Sequence, residues 1–202
     1  MEQKFMWNGP FAWPGYETET GLDPIPDIAG VYLWTFEYED GYLLYLAGET
    51  TSMKRRFKEH TSGYKNGKEV YVVLESDQAS KGVRNELWPY HYSKNKDEFK
   101  ANKSLYLKDV ERQLSAMRVF VTEIPGERYS SGHHLRQRME GALMRSLYNS
   151  KESWAKLADR GMKLLDPKPS DNNYYGVPIT AENICPVKIY GLNNGSDKLY
   201  VK

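Results

Sequence analysis

The sequence predicts an α+β fold: a small central antiparallel sheet, a hairpin plus a third strand, flanked by helices and carrying an insertion and a C-terminal extension. Three observations predict it. Two runs rich in β-branched and aromatic residues, Ile28–Phe36 and Tyr42–Ala47, stand on either side of Glu39-Asp40-Gly41, a hairpin turn signal. A third such run, Arg118–Ile124, follows a long charged stretch and is stopped by Pro125-Gly126. Around them lie segments whose apolar residues repeat at helical rather than alternating spacing.

Residues 1–27 are rich in aromatics, Gly and Pro and read as an irregular arm that packs Trp7, Phe11 and Trp13 on the body. Within the hairpin, an Asp40-Gly41 turn sets Glu39 opposite Tyr42. Tyr32 then shares a face with Tyr45 and Ala47, at a distance of roughly 13 Å along the sheet. A longer loop changes that parity. A helix is expected from about Ser52 to His60, with the Ser52 hydroxyl as its cap. Ser62-Gly63 and Asn66-Gly67 end it. Val70–Leu74 is a strand, and 76–117 is strongly charged and helical in pieces, notably Tyr106–Met117. Leu135–Tyr148 carries the clearest helical signal, since Leu135, Met139, Leu143 and Leu147 form one apolar stripe. Trp154–Leu165 is a further helix. The tail from Pro167 is rich in Pro, Asn and Gly, with strand-like runs at Val187–Tyr190 and Leu199–Val201. The expected organisation is an arm (1–27), a body (28–166) with an insertion at about 64–117, and an extension (167–202) packed on the same body.

An apolar fraction of 40%, with 16 Tyr and 5 Trp, is enough for a real core and argues against wholesale disorder. No run of about 18 apolar residues exists to span a bilayer, and the N-terminus lacks the basic start and apolar centre of a signal peptide. The single cysteine, Cys185, rules out an internal disulfide or a cysteine metal cluster. These features favour a cytoplasmic location and no membrane partner. Lys and Arg number 28 against 27 Asp and Glu, so chain-wide charge gives no sign of nucleic acid. Local clusters do: Lys54, Arg55, Arg56 and Lys58, and then Arg128, His133, His134, Arg136, Arg138 and Arg145. Each reads either as a solvated helix face or as a phosphate-binding surface.

Arg56 and His60 stand at i and i+4 on one helix face. Arg55 and Glu59 do the same about 100° around the axis and form an ordinary exposed ion pair. Two cationic groups with no acid between them suit a phosphate or a tyrosine oxygen placed opposite. Glu140 follows Met139 at the border of the apolar stripe, with Arg136 at i−4. It reads as a surface ion pair, or as a partly buried carboxylate that would hold a hard cation such as Mg²⁺ together with several waters. Tyr32 and Tyr45 read as core rings or as site groups.

In order, these residues resemble the GIY-YIG nuclease superfamily. Gly30-Val31-Tyr32 resembles the GIY element, and Leu46-Ala47-Gly48 with Tyr45 resembles the YIG element. Gly48-Glu49-Thr50-Thr51-Ser52 through Arg56 and His60 resembles the family's glycine, turn, helix, arginine and histidine, with the glycine-to-arginine spacing kept. Val121–Pro125 and Glu140-Gly141-Ala142-Leu143 resemble its third strand and glutamate helix. The match covers 28–63 and 118–149. Leu46 stands where the YIG tyrosine is expected, with Tyr45 one residue early, and a bulge would restore its direction. The gap from His60 to Glu140 is long, hence the insertion. The family's asparagine has Asn149 as an early candidate and Asn172 or Asn173 as later ones.

The resemblance implies a metal-dependent endonuclease domain that hydrolyses DNA phosphodiester bonds, leaving 5′-phosphate and 3′-hydroxyl ends. Glu140 would hold one Mg²⁺, with Mn²⁺ as the alternative ion. Tyr32 would be the general base or water-orienting group, Arg56 the phosphate brace and His60 the acceptor or relay of the tyrosine proton. Tyr45 would be an auxiliary hydrogen-bonding group, as would Asn149 or Asn173. Lys54, Arg55, Lys58 and Arg136 would contact DNA, expected to be double-stranded. A tyrosine pKa near 10 suits neutral pH poorly, so a neighbouring cation is expected to favour the phenolate. The alternative is a nucleic-acid-binding module that keeps the fold and lacks turnover; a third reading is an interaction protein with no nucleic acid. His133 and His134 read as exposed loop or as phosphate or metal contacts. Trp88, Tyr90, His91 and Tyr92 read as packing for the insertion, or as bases' stacking partners.

Overall fold

A computed structural model of the chain describes residues 2–73, 83–88, 95–159, 179–192 and 199–201. They form strands β1 (Glu2–Met6) and β2 (Asn8–Ala12), a short helix α1 (Glu17–Thr20), strands β3 (Gly30–Tyr38) and β4 (Gly41–Thr50), and helix α2 (Met53–Lys65). Strands β5 (Tyr71–Val73) and β6 (Asn85–Trp88) follow, then helices α3 (Lys96–Ala101) and α4 (Lys103–Ala116), strand β7 (Arg118–Glu123) and helix α5 (Ser131–Asn149). A 3₁₀ turn at Ser153–Leu157 and strands β8 (Ile179–Ile184), β9 (Ile189–Tyr190) and β10 (Leu199–Val201) complete the set. The fold is mixed α+β with a mostly antiparallel sheet. No helix among the described residues is long and apolar enough to cross a membrane.

The central sheet is wider than the expected hairpin plus third strand. Its order is β2-β7-β3-β4-β9, antiparallel except where β9 joins β4. The first residues are therefore not an irregular arm. β2 forms one edge of this sheet, an edge being where the proline of Asn8–Ala12 is tolerated. β1 pairs in parallel with β8 in a second sheet that β10 completes. That pairing joins the two ends of the chain, and no local pattern announces it.

The hairpin turn also differs from expectation. Tyr38 pairs with Gly41, so the turn is Glu39-Asp40, with Glu39 taking the left-handed conformation (φ 47°). A bulge follows: Thr35 faces Leu44 and Trp34 faces Leu46, leaving Tyr45 as the extra residue. Beyond the bulge Tyr32 stands opposite Gly48.

The sheet separates two cores. On one face Tyr32, Trp34, Phe36, Tyr45, Val119 and Val121 pack against Phe57 of α2 and against Tyr64, Trp88, Val110 and Leu114. The described part of 64–117 thus shares the body's core. The Gln113 amide clasps it, donating to the Tyr64 hydroxyl (3.2 Å) and accepting from the Val72 N–H (2.8 Å). Trp88 packs as expected, its indole N–H on the Gly67 carbonyl (2.8 Å); Tyr90, His91 and Tyr92 lie outside the described residues. On the other face Val31, Leu33, Leu44, Ala47 and Phe120 meet the α5 stripe, Met139, Leu143 and Leu147. Burying each of the valine, leucine, methionine and phenylalanine side chains there stabilises the fold by about 1.5–3 kcal/mol.

Ser52 caps α2 as expected, its hydroxyl accepting from the Arg55 N–H (3.2 Å) while Asp27 braces the same terminus. The helix runs on through Ser62-Gly63 and ends only at Asn66-Gly67. α5 begins before Leu135, at a Ser130 cap. A 3₁₀ turn replaces the start of the helix expected at Trp154, and 160–165 lie outside the described residues.

Candidate active site

β9 pairs only with Tyr42 and Leu43, so among the described residues no strand covers the rest of that side of β4. Side chains from both faces of the sheet meet over this edge. Tyr32 arrives from the α2 face because Gly48, its cross-strand partner, leaves it room: a Cβ there would collide with the end of the Tyr32 ring. Glu140 arrives from α5 on the other face. A cavity of about 290 Å³ opens between them, lined by Tyr32, Gly48, Arg56, His60, Glu69, Glu140 and Asp159 among others.

The Tyr32 oxygen is the hub. It lies 3.0 Å from His60 Nε2 and accepts from Arg56 Nε at 3.3 Å. His60 Nδ1 is 3.3 Å from a Glu69 carboxylate oxygen, and the imidazole meets Trp34 in an edge-to-face contact with ring centres 4.5 Å apart. Burial pushes the Tyr32 hydroxyl well above its ordinary pKa, outweighing the opposing pull of Arg56. The expected phenolate is therefore not favoured in this arrangement: Arg56 acts in the expected direction, but desolvation is larger. Burial also lowers His60, against the opposing effect of Glu69. Both effects favour the neutral forms, a phenol beside an imidazole.

A second hollow of about 630 Å³ shares Arg56 and Glu140 and extends to Glu49, Arg55, Arg128 and His133. The Glu49 backbone N–H donates to the Glu140 carboxylate. Burial, then the neighbouring charge of Glu49, push the Glu140 carboxyl up to about 8, with Arg56 opposing. Two carboxylates lining one open hollow fit a hard cation such as Mg²⁺, which is usually held by one or two carboxylates and several waters. A cation there would relieve the repulsion that raises Glu140. Among the described residues no three His, Cys, Asp or Glu side chains gather in a closed metal cage, and Mg²⁺ does not require one.

Four expected site residues, Tyr32, Arg56, His60 and Glu140, are brought together. Tyr45 is not among the residues lining the cavity: its hydroxyl donates to Asp159 Oδ2 (3.1 Å) and accepts from Arg84 Nη2 (3.4 Å), and Asp159 is the lining residue it touches. Asn149 is a correction. Nine residues after Glu140, about 13 Å along the axis, it lines a different hollow beside Ser150, Trp154 and Gly191. Asn172 and Asn173 lie outside the described residues. Arg136 is also corrected, from DNA contact to internal strut. It is fully buried, binds Glu49 Oε2 (3.1 Å) rather than Glu140, and donates to the Ile124 and Gly126 carbonyls (2.9 and 3.0 Å). Arg55 stands on the wall of the second hollow. Lys54 and Lys58 lie about 200° around α2 from Arg56, on a separate groove of about 740 Å³ with Pro14, Pro24 and Ile25. His133 faces the site, 3.8 Å from Glu49.

Glu49, Glu69 and Asp159 were missed by sequence reasoning. Glu49 had a usable signal: past the bulge it shares the face of Ala47, which points into the α5 core, and an acid there needs a partner. Glu69 and Asp159 had none, since both act through partners far away in sequence or past a turn. Comparison with family models, with curated proteins and with solved structures finds no match to this chain.

Proposed function

We propose that this chain is a metal-dependent endonuclease that hydrolyses DNA phosphodiester bonds at a GIY-YIG-like site. The observation that carries the proposal is the meeting of Tyr32, Arg56, His60 and Glu140, from one strand and two helices, on one open cavity. Core packing accounts for the Tyr32 ring, but it does not require Arg56, His60 and Glu140 to converge on the cavity that the ring's oxygen reaches, whereas phosphoryl chemistry needs such a set.

Arg56 lines both hollows, and its planar guanidinium suits two phosphate oxygens. The Tyr32 oxygen, with His60 behind it, would take up a proton from the attacking water. Glu140, with Glu49 alongside, would hold Mg²⁺ or Mn²⁺. When bound, that ion supplies charge neutralisation at phosphorus and at the leaving 3′ oxygen. Arg55, Arg128 and His133 extend a basic wall along which a DNA backbone would lie.

The test is plasmid nicking with Mg²⁺ or Mn²⁺, against EDTA, using the full chain and its Glu140→Ala, Arg56→Ala and Tyr32→Phe variants. Cleavage that EDTA and each variant abolish, with the fold intact by circular dichroism, is the expected result. Full activity in Glu140→Ala removes the metal assignment. The second reading, a binding module without turnover, draws on Tyr45, whose hydroxyl is engaged by Asp159 and Arg84. Salt-dependent DNA retention without nicking would select it.

A further inference from the structure

We infer that Glu69 is a positioning residue that fixes the tautomer of His60, so that Nδ1 carries the proton and Nε2 is free to accept one from Tyr32. The use of this arrangement in hydrolysis rests on the endonuclease reading; the arrangement itself does not.

A neutral imidazole has one N–H and one bare nitrogen, and its neighbours decide which is which. Glu69 faces Nδ1 at 3.3 Å, and the Tyr32 hydroxyl faces Nε2 at 3.0 Å. A carboxylate only accepts, whereas a hydroxyl both donates and accepts. With the proton on Nε2, the Glu69 carboxylate would confront a bare Nδ1, acceptor against acceptor. With the proton on Nδ1, both contacts are satisfied: Nδ1–H donates to Glu69 and Tyr32 O–H donates to Nε2. The Tyr32 oxygen then accepts from Arg56 Nε (3.3 Å) and keeps a further lone pair for a water in the cavity.

The backbone is arranged to bring Glu69 to this place. Gly67, in the left-handed conformation (φ 68°), turns the chain back along the end of α2, and the Lys68 N–H closes the return on the Gly63 carbonyl (2.8 Å). Gly63 itself leaves the space: a Cβ there would lie 2.7 Å from Glu69 Oε1 and 3.0 Å from its Cγ. Glycine is a poor helix former, and nothing backbone-like crowds this position, so the carboxylate is what an alanine would disturb.

The resulting proton path balances. As the water oxygen forms its bond to phosphorus, its proton passes to the Tyr32 oxygen and the Tyr32 proton passes to His60 Nε2. The P–O3′ bond breaks with its electron pair on O3′, which solvent protonates. The imidazolium stands against the Glu69 carboxylate until it loses its proton to solvent.

Nitrogen-15 NMR of the histidine side chains in the full chain, at a pH where His60 is neutral, tests this without reference to activity; His60→Gln assigns the signal. The expected wild-type state is the Nδ1–H tautomer. Glu69→Gln keeps it, because the amide oxygen still accepts, while Glu69→Ala and Gly63→Ala shift it toward Nε2–H. In the nicking assay Glu69→Ala and Gly63→Ala then lose roughly 10- to 100-fold in kcat with KM unchanged, and Glu69→Gln recovers most of the rate. An Nε2–H wild type, or a tautomer indifferent to Glu69→Ala, overturns the inference. A wild type that never nicks DNA overturns the endonuclease reading while leaving the tautomer result to be judged alone.

Discussion

The end of the Tyr32 ring fills the space in which a side chain at Gly48 would stand. The two residues are cross-strand partners, and the missing Cβ on one strand is what lets the phenol on the other reach the β4 edge. Gly48→Ala is therefore expected to push the ring off His60. Inserting a methyl into a packed site costs about 1–3 kcal/mol, so urea denaturation should show a loss in that range. Nicking activity should fall far more than this stability loss explains. An alanine variant with wild-type stability and activity would mean that the ring has somewhere else to go.

Arg136 and Arg55 are both basic residues beside the site, and they are expected to fail in opposite ways. Arg136 is fully buried and satisfies Glu49 and two carbonyls at once. Its replacement by alanine leaves those acceptors unpaired, at a cost of about 3–5 kcal/mol. Arg55 is exposed and pairs with Glu59 at the surface. Arg55→Ala should leave stability within about 0.5 kcal/mol and reduce the salt slope of DNA binding by about one unit. Denaturant melts paired with filter binding at several salt concentrations separate the two. A stable Arg136→Ala protein that merely binds DNA less well would restore the surface role first expected of it.

What was legible in the sequence was local. The hairpin, the Ser52 cap, the Arg118–Glu123 strand and the Met139–Leu147 stripe each depend on neighbours within a few residues, and each is present. The Arg56–His60 spacing was legible for the same reason, because helix geometry alone puts both on one face. The hairpin register was not, since it turns on a Glu39-Asp40 turn in place of Asp40-Gly41 and on a bulge at Tyr45 that the family resemblance, but no spacing rule, points to. Neither was the β1–β8 pairing, which only tertiary contact decides. Arg136 shows the limit most sharply: a basic residue on a helix beside an acid at i+4 looks solvated, yet Glu49 from the sheet captures it instead.

Tyr129 is 65% exposed and holds a left-handed backbone (φ 67°). For a side chain larger than glycine this conformation costs on the order of 1 kcal/mol. The residue sits beside the second hollow, with the Arg128 guanidinium 4.9 Å from its ring centre and its N–H on His133 Nδ1 (3.1 Å). Tyr129→Gly relieves the backbone and adds freedom to the unfolded chain, so thermal stability should stay level or rise slightly. DNA affinity should fall, since the ring holds the Arg128 guanidinium at the hollow along which the DNA backbone would lie. Stability and affinity falling together would assign Tyr129 to the fold alone.

Glu140 should leave a signature in how stability varies with pH. Its carboxyl is raised to about 8 in the folded chain, by burial and then by Glu49, against an ordinary glutamate value of about 4.3 when unfolded. Between those values the folded chain holds a proton that the unfolded chain has lost, so stability must decline as pH rises. Below about pH 4 the group contributes no difference; above about pH 8 the full penalty is present, on the order of a few kcal/mol. Glu140→Gln removes the charge and with it this slope. Its melting temperature is expected to match the parent near pH 5 and to exceed it at pH 8.5, even though cleavage is lost. Mg²⁺ should narrow the gap at pH 8.5 by stabilising only the parent, because a cation favours the ionised carboxylate. Parallel stability curves for the two proteins across that range would show that Glu140 is not held in the crowded, half-dry position from which its metal role is argued.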